Sequence, residues 1–383
     1  MRIAFLETTL EEGKGIPNRA VALASGLATL GHDVTLLAFR TERESLPPGP
    51  RVLPFRSIGN LRLPFRAANS SNPLLWRTAN HLIQSTIDRV NPEIVCVDYP
   101  PLDAFALHGR GRRRYKVVYT YHGVANPEHY EGAAREARIR NRATIHRHVR
   151  DADLVLSVSA YCAGELEAVG VRSEVLPNGV DAELFHPSRR VPALRGKAPL
   201  LLHIGRYTEH KGALDLLRAF RIIRAEMPEA ALLCFARHES PAYVKRLRAY
   251  VAEEGLAGSA FLFRDVYGEI VPSLYATADL FISGARDETF GMTFVEAAAC
   301  GTPSVAFDSQ SIPEVVTDGV TGLLAPAGDI ERLAACAVEL LRDDSRRRAM
   351  GEAARKHALS FSWNTLSARL EARLRALVSP GTP

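Results

Sequence analysis

Short, almost wholly apolar runs alternate with longer stretches of helical spacing along this chain, and part-way through the alternation begins again. The first series predicts strands at 2–6, 34–39, 93–97, 116–119 and 154–158. After Pro199 a second series predicts strands at 200–204, 231–235, 260–263, 280–283, 304–307 and 322–324. Runs that are apolar on both sides, each followed by a helix, imply parallel strands covered on both faces. Two such series imply two doubly wound α/β domains, which 383 residues are enough to build. A helix is expected at 18–30, stopped by Gly31 as a C-cap. Residues 185–199, rich in Pro and Arg and without periodicity, read as a linker, so the domains are expected at 1–188 and 189–361. The last helix, 362–377, carries Trp363, Leu366, Leu370, Leu374 and Leu377 at helical spacing and needs an apolar surface to cover.

Composition narrows the function classes. With 46% hydrophobic and 24% charged residues, the chain has the make-up of a globular protein. No run approaches the roughly 20 apolar residues of a membrane span. The first strand is expected to begin without a secretory signal before it. Cys96, Cys162, Cys234, Cys300 and Cys336 are scattered in apolar settings, which predicts reduced, buried thiols in a cytoplasmic protein. The formal net charge of +5 is unevenly spread: residues 110–150 hold eleven Lys or Arg against three acidic residues. That tract reads as a solvated basic surface, or as one that meets anionic lipid or a phosphorylated acceptor at the inner face of a membrane. It lacks the stacking aromatics of a nucleic-acid site, so no nucleic-acid partner is expected.

In open parallel sheets, ligands bind beyond the carboxyl ends of the strands, so chemistry is sought in the loops there. The loop from His203 to Gly212 carries Gly205 and Gly212, which permit close backbone approach. It also sets Arg206 and Lys211 beside a helix N-terminus, a place that favours anions. The loop fits a diphosphate equally as well as a turn whose two cations pair with surface carboxylates. The second loop, from Asp287 to Pro303, sets Glu288 ahead of a helix expected from Thr293 and Glu296 inside its first turn. Carboxylates so placed can accept hydrogen bonds from sugar and ribose hydroxyls. The amides of Gly291, Met292 and Thr293 are left free for phosphate. Thr293 and Glu296 also satisfy the spacing of a capping box, which explains Glu296 without a ligand.

These residues, continued through Ser311 to Val316, Asp318 to Gly322 and Pro326 to Asp329, resemble the retaining glycosyltransferases of family 4. Two glutamates with seven residues between them, Glu288 and Glu296, carry the resemblance. Pro177 to Asp181, Tyr121-His122-Gly123 and Gly31-His32 extend it over most of the chain, with 41–114 looser. The resemblance implies the GT-B fold: two facing Rossmann-like domains with the donor in the cleft between them, and a C-terminal helix, 362–383, that crosses back to the first domain. It implies transfer of a sugar from a nucleotide-sugar donor, a uridine nucleotide above others, to a hydroxyl acceptor that the sequence does not identify. Arg206 and Lys211 would neutralise the diphosphate, with the amides of Gly291, Met292 and Thr293 completing the cradle. Glu296 would bind ribose and Glu288 the transferred sugar. His122 would sit near the reacting carbon, Gly15 beside the phosphate, and the base against Arg264 to Val266. Retention would come from same-face attack, with a phosphate oxygen taking the acceptor's proton. Neither cofactor nor metal is expected. Two departures stand out: Gln310-Ser311 replaces the usual Gly-Gly, and the first glycine pair reads Gly13-Lys14-Gly15.

Other readings are weighed against this one. Asp151-Ala152-Asp153 resembles a metal-binding Asp-x-Asp, but its place before a strand predicts a structural turn. His146 and His148 lack metal-site companions and are assigned to the basic surface. A sugar-nucleotide epimerase or a non-catalytic sugar-nucleotide-binding partner fits the same architecture. An oxidoreductase does not, since no Gly-x-Gly-x-x-Gly follows the first strand.

Overall fold

The structure, a computed structural model, describes residues 1–10, 15–41, 49–55, 73–98, 106–107, 113–124, 127, 132–191, 193, 198–264, 266, 268 and 270–379. The chain divides into two compact units. The first runs up to Asn178 and takes back the chain from Trp363, and the second holds Gly179–Ser362.

In the first unit, strands β1 (Arg2–Leu10), β2 (Asp33–Thr41), β3 (Arg51–Pro54), β4 (Ile94–Val97), β5 (Lys116–Tyr121), β6 (Leu154–Ser157) and β7 (Glu174–Val175) form one parallel sheet. Its order is β3-β2-β1-β4-β5-β6-β7. Helices α1 (Gly15–Thr29), α2 (Pro73–Val90), α3 (Gly132–Val149) and α4 (Ala160–Glu167) accompany it among the described residues. The five expected strands are all present. The two edge strands, β3 and β7, went unforeseen because they are short and half-exposed, without the apolar run that marks a buried parallel strand. Gly31 follows α1 at φ 87°, the left-handed conformation a glycine C-cap supplies.

The second unit has all six expected strands, β8 (Leu200–Tyr207), β9 (Ala231–Glu239), β10 (Ala260–Arg264), β11 (Leu280–Ser283), β12 (Ser304–Asp308) and β13 (Gly322–Pro326). They pair in parallel in the order β10-β9-β8-β11-β12-β13. Around them lie α5 (Ala213–Glu226), α6 (Pro241–Glu253), α7 (Ile270–Thr277), α8 (Met292–Ala299), α9 (Ile312–Val315), α10 (Ile330–Arg342) and α11 (Asp344–Ala358). In both sheets the chain reverses its direction of build beside the first strand of the unit, which makes the ends of β1 and β4, and of β8 and β11, the topological switch points.

The returning helix α12 (Trp363–Val378) puts Leu366, Leu370 and Leu374, each at most 2% exposed, into the same core as Ile3, Phe5, Leu27 and Leu36. Glu371 accepts from His32 Nε2 at 3.0 Å, and Arg373 pairs with Glu174 at 2.8 Å. The apolar stripe of the last helix thus completes the first unit's core. The start of the stretch expected as a linker is held in place. Arg355 donates to the carbonyls of Ala182, Phe185 and Ala299 at 3.0, 2.7 and 2.5 Å, which fixes residues 182–185 within the second unit. The division therefore falls after Asn178, ahead of the expected 188. Val180 N–H donates to the Phe361 carbonyl at 2.9 Å, so the outgoing and returning segments are tied together.

Candidate functional site

In the second unit β8 ends in a 3₁₀ turn, Glu209–Lys211, and Gly212 then opens α5 in the left-handed conformation, φ 65°. A Cβ at Gly212 would lie 1.6 Å from the Gly284 carbonyl oxygen, so no side chain fits. This contact presses the loop after β8 onto the loop after β11. Gly284 has no signature of its own in the sequence; only its partner Gly212 was singled out. The close approach brings Lys211 to Glu288. Lys211 Nζ donates to Glu288 Oε1 at 2.6 Å and to the Asp287 carbonyl at 2.7 Å. Arg206 is exposed, and its guanidinium lies 3.4 Å from His210 Nε2. Lys211 thus pairs with a carboxylate, and that carboxylate is Glu288 itself.

Gly291, at φ 93°, is the N-cap of α8, and no side chain caps this helix. The expected capping box is therefore absent: Thr293 lies inside the helix, and Glu296 is buried at 6% exposure, accepting from the Tyr275 hydroxyl at 2.9 Å. Without a cap, the amides of the first turn point out of the helix unsatisfied by it, at the positive end of its dipole. Glu288, Lys211, Gly291, Met292 and Thr293 thus gather at the carboxyl ends of β8 and β11. Arg264 is exposed at the end of β10, while the side chain of Val266 is buried, leaving its backbone for contact. His203, on β8, is buried and donates from Nδ1 to the Ile282 carbonyl at 3.0 Å. Burial lowers its pKa to about 4, so the ring stays neutral.

The first unit has a second group of charges at the ends of β1, β4 and β5. In the register, Leu6 pairs with Val97 and Val97 with Tyr119, so Glu7, Asp98 and Thr120 form the next row. His122 is two residues further along. Arg19, from α1, donates to the carbonyls of Pro177 and Leu176 at 2.8 and 3.4 Å and has Nε 3.6 Å from Asp98 Oδ2. His122 Nε2 is 3.5 Å from the same oxygen, an ion-pair distance rather than a formed hydrogen bond. Burial, then the charge of Asp98, pushes the Glu7 carboxyl well above the ordinary range. Asp98 goes the other way: burial raises it, but His122, Arg19 and Thr120 outweigh that and hold it below its ordinary value. The two neighbouring carboxyls are thus driven in opposite directions, Glu7 toward its protonated form and Asp98 toward its charged one. Of this group only His122 was read from the sequence. Gly15 is the first residue of α1, and Gly13 lies outside the described residues.

The remaining expectations resolve simply. Asp153 accepts from Val117 N–H and pairs with Arg113 and Lys116, the structural turn foreseen. His146 is not part of the basic surface: it is 9% exposed, beside Tyr121 and Arg142, and burial lowers its pKa. The five cysteines are buried and none forms a disulfide. Among the described residues no helix is long and apolar enough to cross a membrane, and no group of His, Cys, Asp and Glu could hold a metal.

Comparison with known proteins matches this geometry to two consecutive profiles. The profile for Glycosyltransferase Family 4 covers residues 13–184, and that for Glycosyl transferases group 1 covers residues 185–357. The chain belongs to glycosyltransferase family 4, with the GT-B fold. A GDP-mannose-dependent alpha-(1-6)-phosphatidylinositol monomannoside mannosyltransferase of Mycolicibacterium smegmatis is 31% identical over 60% of this chain. The match spans 64% of that relative's length. A D-inositol 3-phosphate glycosyltransferase of Thermobispora bispora is 28% identical over 91% of this chain and 87% of its own. Among solved structures, sucrose-phosphate synthase from Thermosynechococcus elongatus superposes with a TM-score of 0.80, covering 98% of both chains at 20% identity, a likeness of fold.

Proposed function

We propose that this family 4 member transfers a hexosyl group from a nucleotide sugar to a hydroxyl of an inositol-bearing acceptor, with retention at the anomeric carbon. The observation that carries the reading is the Lys211–Glu288 pair at 2.6 Å beside the uncapped N-terminus of α8. A donor diphosphate would take Lys211 away from Glu288, and the released carboxylate would then accept the hydroxyls of the transferred sugar. When the glycosidic C–O bond breaks, the leaving diphosphate gains charge that Lys211, Arg206 and the amides of Gly291, Met292 and Thr293 would stabilise. Glu296, buried against Tyr275, would bind ribose. His122 and Gly15 would take the roles that the resemblance implies. No metal enters this scheme, because the cations and amides meet the phosphate charge.

The name of the mannosyltransferase relative gives GDP-mannose as its donor, and this favours a guanosine nucleotide over the uridine nucleotide expected from sequence. The names of both relatives carry inositol, which supports a cyclitol acceptor. If the acceptor is lipid-borne, the basic tract at 110–150 would meet its anionic surface; sedimentation with phosphatidylinositol vesicles tests that. The decisive experiment incubates the protein with GDP-mannose and with UDP-sugars, with and without inositol phosphate. Acceptor-dependent release of nucleoside diphosphate, with an α-linked product by NMR, is expected. An inverted product, or interconversion of sugar nucleotides without acceptor, would replace this reading by another.

A further inference from the structure

The loop after β12 has a feature that its packing does not require. Gln310 has φ 50°, one of two non-glycine residues with positive φ among those described. A side chain at that angle is strained, and such strain persists where surrounding structure enforces it, often at binding sites. The enforcement is visible on either side. Ser309 Oγ donates to the Arg286 carbonyl at 2.9 Å, and Ser311 Oγ donates to the Glu288 carbonyl at 2.8 Å. Gln310 is thus pinned between two hydroxyl clamps on the segment that carries Glu288. Ser311 is fully buried, so the clamp behind Glu288 is built into the core. The side chain of Gln310 is half-buried, and its Oε1 is buried without a hydrogen-bond partner. A buried acceptor left unpaired is costly and calls for a ligand that completes it.

We infer that Gln310 is a specificity-determining residue for the transferred sugar, its amide receiving a sugar hydroxyl next to those held by Glu288. The inference rests on the proposed function, since it presumes a sugar at Glu288. A glycine would hold this backbone without strain but would supply no amide, so the strain buys selectivity rather than stability. The clamps tie the backbone on either side of Gln310 to the segment that carries Glu288, so the two side chains start from backbones held together.

The test compares wild type with Gln310→Gly and Gln310→Asn. Asparagine tolerates this backbone conformation and keeps an amide one carbon shorter. Calorimetry measures affinity for the nucleoside diphosphate and for nucleotide sugars differing at one hydroxyl, and thermal unfolding measures stability. Gln310→Gly is expected to unfold at a higher temperature and to bind the nucleoside diphosphate as wild type does. Its preference for the favoured sugar should fall about tenfold, the worth of one hydrogen bond. Gln310→Asn should keep the stability of wild type and part of its preference. Unchanged discrimination in Gln310→Gly, or a lower unfolding temperature, would overturn the inference while leaving the proposed function standing. A wild type that binds no nucleotide sugar overturns the proposed function, and this inference with it.

Discussion

In the first unit, Glu7, Arg19 and Asp98 are each at most 5% exposed at the ends of β1 and β4, and Arg19 is tied to two backbone carbonyls. In the second, Lys211 and Glu288 lie in the loops after β8 and β11 and keep 12% and 17% of their side chains exposed. Both units use the same topological switch point, but one encloses its charges and the other leaves them within reach of solvent. An enclosed ion group holds the loops around it in one arrangement, and breaking it leaves an uncompensated charge. A pair that keeps some contact with solvent can exchange its partner for a ligand at a lower cost than an enclosed one. The first unit's charges are therefore read as positioning and the second's as exchangeable.

Substitutions can break that comparison, beginning with the most damaging. Ending the chain after Ser362 removes Leu366, Leu370 and Leu374 from the first core, each worth about 2–5 kcal/mol. Hydrogen exchange should then rise throughout the first unit and stay low in the second; protection preserved in the first would show that α12 is dispensable. Arg19→Met should cost about 3–5 kcal/mol by stranding Asp98 in the interior. Lys211→Met, by contrast, should leave thermal unfolding within about 1 kcal/mol of wild type. It should lower turnover by about 10²–10³-fold, as loss of a group stabilising the leaving charge does. Equal destabilisation by the two substitutions would erase the distinction between enclosed and exchangeable charge.

His203 sharpens the comparison by pH. Its folded-state pKa, about 4, lies below the ordinary value, so between pH 6.5 and 4 the unfolded chain takes up a proton that the folded chain refuses. Above that window the ring is neutral in both states and costs nothing; as pH falls through it the fold loses about 3 kcal/mol. His203→Gln should flatten that part of the stability curve, as followed by denaturant unfolding. Of the two glutamates, Glu296→Ala should weaken nucleoside-diphosphate binding by about 1.5–3 kcal/mol. Glu288→Ala should spare that binding and lower turnover; equal affinity in both variants would contradict the ribose role.

What was legible in the sequence follows the same division. The second unit's strands are long apolar runs, and its functional residues cluster within two loops at fixed spacing, so pattern and motif agree. The first unit's edge strands lack such runs. Its charged group comes from four separate segments, so no local spacing announces it. A usable signal did exist: Glu7, Asp98 and His122 each stand just past the end of an expected strand, where a parallel sheet presents its ligands. The capping-box alternative for Thr293 and Glu296 fails because Gly291 caps that helix instead, a fact that spacing alone does not reveal. Gln310 could be seen as a departure from glycine, but its backbone angle is visible only in three dimensions.

The returning helix also governs the order in which this protein can mature during synthesis. Domains emerging from a ribosome commonly fold from the N-terminus onward. Here the earlier-made unit lacks three core leucines until Leu374 has been translated, whereas among the described residues the later-made unit is one continuous segment, Gly179–Ser362. The second half can close its core while the first, though synthesised earlier, still exposes the apolar face of α1. A nascent chain stalled before residue 366 would therefore offer chaperones and proteases an unfinished first half attached to a finished second one.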